Sequence, residues 1–132
     1  MRCVFDTNVL VSALLIPGSI PQRALQRAFR SGDILLSLAL LAELSEVLTR
    51  KQFRRYVDEE DVRRFVVALT REAQLVDVDV QIKVCRDADD DKILELAVSG
   101  LASHIVTGDL DLLVLDPFRG IRIISPQMFL GV

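Results

Sequence analysis

Soft metal ligands are nearly absent from this sequence. It holds one histidine, His104, and two cysteines, Cys3 and Cys85, with none at metal-ligand spacing from another. That argues against a zinc centre, and the two distant thiols read as reduced cytosolic cysteines, not a disulfide framework. His104 heads a strand pattern and is expected to be structural, as is Cys85. Tryptophan is missing and Tyr56 is the only tyrosine, so stacking platforms for unpaired bases are scarce. No apolar run approaches the ~20 residues that span a bilayer. Asp6 and Asn8 interrupt the first apolar segment, which is not the layout of a secretion signal. The expected setting is cytoplasmic, with no membrane attachment. A net charge of −3 shows no general basic field for nucleic acid.

What is present is the balance of a folded protein. The 132 residues are 51% hydrophobic and 27% charged, enough for one core and one expected domain, 1–132. Apolar strand patterns at Cys3-Val4-Phe5, Ile34-Leu35-Leu36, Ile105-Val106-Thr107 and 121–124 alternate with amphipathic helix patterns. The helices run from Thr7 or Asn8 as cap to Leu14, about 21–29, Ser37 to about Arg50, 58–72, and through Ile93, Leu94, Leu96 and Ala97. Leu75 to Val78 reads as a short strand or an extended link, and Ser125-Pro126 opens a last helical turn. Such alternation predicts an α/β fold, three layers α/β/α around a central, mostly parallel sheet.

Charge is distributed unevenly. Between Arg86 and Asp116 stand Asp87, Asp89, Asp90, Asp91, Glu95, Asp109, Asp111 and Asp116, against only Arg86 and Lys92. The chain as a whole has 19 acids and 16 bases, so a mildly basic body surrounds one acidic segment. The acids lie just before a helix pattern and just after a strand pattern, where parallel sheets gather ligands. Asp6 follows the first strand, and Glu43 borders the buried face of its helix, three residues after Leu40 and four before Val47. Taken singly, each has an ordinary explanation as a turn, a cap or a helix-edge residue. Together, Asp6, Glu43, Asp90 or Asp91, and Asp109 converge if the sheet is parallel. Such a cluster repels itself and raises its own pKa values until a cation neutralises it. All-oxygen ligation points to Mg2+ or Mn2+, and such a site suits metal-assisted attack of water on a phosphodiester.

Five stretches in this order carry a family resemblance: VFDTNVLVSALL, LALLAELSEVL, RDADDDKILELA, HIVTGDLDLL and the late IISPQMF. Across essentially the whole chain the sequence resembles the PIN domains, and more narrowly the VapC-like toxin ribonucleases of toxin–antitoxin systems. The resemblance implies a metal-binding and catalytic set of Asp6, Glu43, Asp90 and Asp109. Asp90 is favoured over Asp91 as the third acid, and Asp111 is a candidate helper. Thr7, Asn8 and Thr107 match polar positions that orient the carboxylates or the water. The resemblance further implies a Mg2+- or Mn2+-dependent endoribonuclease acting on RNA, a homodimer, and a cognate antitoxin protein covering the site. Arg23, Arg27, Arg50, Lys51 and Arg54 are candidate RNA phosphate contacts, although solvated helix faces are the commoner reading of such patterns.

Two other readings stand beside this one. A phosphotransferase of the haloacid dehalogenase type also has an aspartate after its first strand, but it wants a second one two residues later, where Asn8 stands. A non-catalytic member of the same fold would bind RNA or protein without cutting.

Overall fold

The structure, a computed structural model, describes residues 1–131; residue 132, the last of the expected domain, lies outside the described residues. The chain opens with strand β1 (Arg2–Phe5), helix α1 (Thr7–Leu15), helix α2 (Ile20–Ser31) and strand β2 (Asp33–Leu36). Helix α3 (Leu38–Leu48) leads through a 3-10 turn at Lys51–Phe53 to helix α4 (Glu59–Glu72) and the two-residue strand β3 (Gln74–Leu75). An extended stretch precedes helix α5 (Ala88–Ser99). Strand β4 (His104–Val106), helix α6 (Leu110–Leu113), strand β5 (Arg122–Ile124) and helix α7 (Pro126–Leu130) follow.

The strands form one sheet in the order β3-β2-β1-β4-β5, every neighbouring pair parallel. Val4 is registered with Ile105, and Ile105 with Ile123, so β1, β4 and the edge strand β5 are level. Cys3, Val4 and Phe5 are all buried, as are Ile34, Leu35 and Leu36. A strand buried on both faces has no polar side to alternate, which is why these runs are continuously apolar. The chain moves outward from β1 to β2 and β3, then crosses to β4 on the other side. The sheet order therefore reverses between β1 and β4, where parallel sheets open a crevice at their carboxyl ends.

Each helix starts on a side chain that the sequence supplies. Ser19, Ser37 and Ser125 accept from backbone N–H groups of α2, α3 and α7, and Asp58 and Asp61 form a capping box on α4. Gly32 is needed for a different reason: a Cβ there would fall 2.0 Å from the Met1 carbonyl oxygen. That oxygen accepts from Asp33 N–H at 2.8 Å, tying β2 to the start of β1.

Three local expectations are corrected. The cap of α1 is Asp6, not Thr7 or Asn8, because its carboxylate reaches back to Asn8 N–H. Helix α5 begins at Ala88 with Asp87 as cap, which places Asp89, Asp90 and Asp91 inside its first turn instead of before it. The helix dipole favours carboxylates there. The turn after β4 continues into α6, four residues long and too short to leave a periodic signal. Of the stretch from Leu75 to Val78, only Leu75 belongs to a strand, Gln74–Leu75, and the rest is extended link.

Candidate metal centre

The β1–β4 crevice is where the acids meet. Asp6 leaves β1 with its backbone N–H bonded to the Val106 carbonyl at 3.0 Å, so the β1–β4 ladder runs up to the site. Its carboxylate is buried and faces Thr107, whose hydroxyl donates to Asp6 Oδ2 at 2.6 Å. The same hydroxyl accepts from Asp109 N–H at 3.0 Å. Thr107 is fully buried, and it connects the ends of two strands through one oxygen. Asp109 caps α6, its Oδ1 accepting from Asp111 N–H at 2.9 Å. Asp6, Asn8, Ser12, Pro21, Gly108, Asp109 and Pro126 line a cleft of about 360 Å³ at this edge.

Asp90 enters from the first turn of α5. It, Asp109 and Asp111 each present a carboxylate oxygen, and the three oxygens lie within 4.8 Å of one another. The electrostatics follow from this crowding. Burial, followed by the charge and hydrogen bonding of Asp109 and the charge of Asp6, pushes the Asp90 carboxyl up to about 7. Burial also raises Asp6, with Asp109 adding repulsion and the Thr107 hydroxyl opposing it. Glu43, half-buried on α3, is raised by burial and then by the charges of Asp89 and Asp6. Thus Asp6, Asp90 and Asp109 feel one another although they come from three separate elements, while Glu43 feels Asp6 and Asp89 and, like Asp6, lies outside the close group of Asp90, Asp109 and Asp111. Thr7 Oγ1 is buried with no hydrogen-bond partner at normal distance among the described residues, and its longer-range hydrogen bonding to Glu43 partly offsets the rise there. A self-repelling set of oxygen donors beside an orphaned hydroxyl fits a hard divalent cation.

The three consecutive aspartates divide their work. Asp89 is exposed and pairs with Lys92 at 3.2 Å. Asp91 turns away from the cleft and accepts from the N–H groups of Val84 at 3.0 Å and Cys85 at 2.8 Å. Burial raises its pKa, but these hydrogen bonds outweigh burial and leave it below the usual value. Only Asp90 of the three belongs to the close carboxylate group. Asp91→Ala is accordingly expected to destabilise the protein by about 1–3 kcal/mol, the cost of two backbone donors losing their acceptor. Urea unfolding measures it; an unchanged midpoint would contradict the anchoring role.

The candidate phosphate contacts scatter. Arg27 turns inward, donating to the Phe129 and Leu130 carbonyls and lying over the Phe129 ring, so it ties α2 to α7. Arg50 pairs with Glu46 at 2.9 Å. Arg54 lines a groove between α3 and α4, while Arg23 and Lys51 are simply exposed. Sequence reasoning gave no role to Arg86, whose guanidinium sits 2.6 Å from Asp111. Its one signal was being one of only two bases in the acidic stretch.

Comparison with known proteins agrees with this architecture. The PIN domain family model matches residues 2–111. An uncharacterised protein of Methanocaldococcus jannaschii is 31% identical over 117 residues, 87% of this chain and 75% of that protein. The fold is similar to that of VapBC2 from Rickettsia felis, solved bound to a DNA fragment from their promoter (TM-score 0.65, 15% identity, 93% of this chain and 97% of that one). It is similar as well to VapBC-1 from nontypeable Haemophilus influenzae (TM-score 0.65, 14% identity, 96% and 99%). FitAcB from Neisseria gonorrhoeae gives a TM-score of 0.59 at 17% identity, covering 95% and 98%. With the family model spanning most of the chain and the acids gathered at the sheet's switch point, the chain belongs to the PIN domain family.

Proposed function

We propose that this protein is a Mg2+- or Mn2+-dependent endoribonuclease and the toxin component of a toxin–antitoxin pair. The observation that carries the reading is the close group of Asp90, Asp109 and Asp111 beside Asp6, with burial first and neighbouring carboxylates second raising the carboxyls of Asp6, Glu43 and Asp90. Asp6, Glu43, Asp90 and Asp109 would hold the cation, with Asp111 assisting. When bound, the cation supplies Lewis-acid polarisation of the phosphodiester and acidifies a water molecule.

The chain's own residues prepare the rest. The hydroxyl of Thr107 and the first turn of α1 hold the Asp6 carboxylate in one orientation. Asp109 is oriented in the same manner by Asp111 N–H. Thr7 Oγ1, buried near Glu43, would orient a water there, which its want of a normal hydrogen bond among the described residues supports. In hydrolysis, that water's oxygen bonds to phosphorus and gives up a proton to solvent as a P–O ester bond breaks, and the departing oxygen takes a proton from solvent. The exposed Arg23, Lys51 and Arg54 offer contacts to flanking phosphates.

The structural neighbours VapBC2 and VapBC-1 were solved as VapBC assemblies, which supports an antitoxin protein as partner here. A homodimer and a cytoplasmic setting accompany that reading, and no helix among the described residues is long and apolar enough to cross a membrane. A labelled RNA pool tests the activity. Cleavage is expected with Mn2+ or Mg2+, to vanish in EDTA and to return on adding metal. Cleavage persisting in EDTA would overturn the metal-dependent reading; no cleavage under any condition would favour a non-catalytic RNA- or protein-binding module.

A further inference from the structure

Arg86 stands on a fixed backbone with a solvent-exposed side chain. Two residues before it, Val84, and then Cys85, donate their N–H groups to buried Asp91. One residue after it, Asp87 caps α5 by accepting from Asp89 N–H at 2.9 Å. The backbone is therefore held on both sides, yet the Arg86 side chain is 87% exposed. Its guanidinium reaches 25 residues along the chain to Asp111 Oδ1 at 2.6 Å. Asp111 in turn offers an oxygen to the group formed with Asp90 and Asp109. The other base of the acidic stretch, Lys92, is paired with Asp89, so Arg86 is the guanidinium at the rim of the carboxylate group.

An exposed ion pair of this kind contributes little to stability, because solvent screens it and ordering the side chain costs entropy. A planar guanidinium fork suits a phosphate as well as a carboxylate. Resting on the nuclease reading above, we infer that Arg86 is a substrate phosphate-binding residue: it leaves Asp111 and grips a backbone phosphate next to the scissile bond. The fixed backbone keeps it within reach of the reacting phosphorus, and the exchange of Asp111 for phosphate replaces one charge-assisted hydrogen bond with another. Asp111 is thereby released toward the cation exactly when substrate is present, so that resting and substrate-bound states differ in where one guanidinium points.

The test compares wild type, Arg86→Ala, Arg86→Lys and Asp111→Asn on one labelled single-stranded RNA. Cleavage is followed in Mn2+ across a salt series, binding by anisotropy in Ca2+, and Mn2+ uptake alone by calorimetry. Arg86→Ala is expected to weaken RNA binding and raise KM by roughly tenfold, and to make the log–log salt dependence shallower by about one. Arg86→Lys restores the salt slope and part of the affinity, and Mn2+ uptake is not weakened. Unchanged KM and salt slope in Arg86→Ala, with wild type cleaving, overturns the inference alone. Asp111→Asn reproducing the whole Arg86→Ala effect also overturns it, since Arg86 then acts only by fixing Asp111. Wild type that neither cleaves nor binds RNA overturns the nuclease reading and this inference together.

Discussion

Asp6→Asn is expected to abolish metal-dependent RNA cleavage while leaving the fold in place. The substitution keeps the size and most of the hydrogen bonding. Asn Oδ1 can still accept from Asn8 N–H, while Nδ2 takes the place of the oxygen that the Thr107 hydroxyl reaches at 2.6 Å and can donate to that hydroxyl instead, so the start of α1 and the β1–β4 junction persist. What disappears is the charge at the centre of the cleft. Losing one group that holds charge in place at a water-poor site typically costs a factor on the order of 100–1000 in rate. Losing a direct cation ligand belongs at or beyond the upper end of that range. Circular dichroism and the unfolding midpoint should match wild type or exceed it, because Asp6 is buried against like charge. Full activity in Asp6→Asn would place the reaction elsewhere.

The second large effect concerns Asp90 and pH. In the folded, metal-free protein its carboxyl keeps a proton to about pH 7, against an ordinary value of 3.8. Between those values the folded state binds more protons than the unfolded chain. Stability therefore falls as pH rises through that window and stays low above it. Asp6 and Glu43 are raised too and act with the same sign. Asp90→Asn removes the largest part of this dependence. Without metal at pH 8 the variant should be more stable than wild type by on the order of 1 kcal/mol, allowing for solvent screening at the cleft mouth. Adding Mn2+ should reverse the ranking, because binding to the folded state stabilises only the protein that keeps the ligand. Cleavage should be lost in the same variant. Thermal unfolding from pH 4 to 8, with and without Mn2+, measures all of this; parallel pH curves for the two proteins would contradict it.

The acid limb has a different origin. The Asp116 carboxylate is held below its usual value by Ile123 N–H and then by Arg122. Its stabilisation is present above about pH 4 and lost as pH falls further.

The sheet was legible because its strands are short, apolar and covered on both faces, so Cys3-Val4-Phe5 and Ile34-Leu35-Leu36 announce themselves without alternation. Parallel order followed from the helix after each strand. The two-residue β3 at the sheet edge was harder, since the exposed Leu75 offers no buried pattern to read. Helix α6 left no trace, because four residues make barely one turn. The choice among Asp89, Asp90 and Asp91 depends on contacts with Val84, Cys85, Lys92 and Asp109. Local spacing carries none of that information. Arg27 was misleading for the same reason: on α2 it looks like one of a row of outward arginines, and only the position of α7 shows what it bonds. That Asp6 and Asp109 lie near each other followed from strand ends in a parallel sheet, which needed only topology, whereas Glu43, on a helix edge, had no such argument.

The central claim is that the acids at the β1–β4 crevice form one cation site, and calorimetric titration of Mn2+ into the metal-free protein tests it most directly. Wild type should bind at this site, with protons released near neutral pH as Asp90 gives up its own. Asp90→Asn and Asp109→Asn should each bind at least roughly tenfold more weakly, as expected when a site loses a ligand, while Asp91→Asn should bind as wild type does. Equal affinity in Asp90→Asn and wild type, or no uptake by wild type at millimolar Mn2+, would contradict the account.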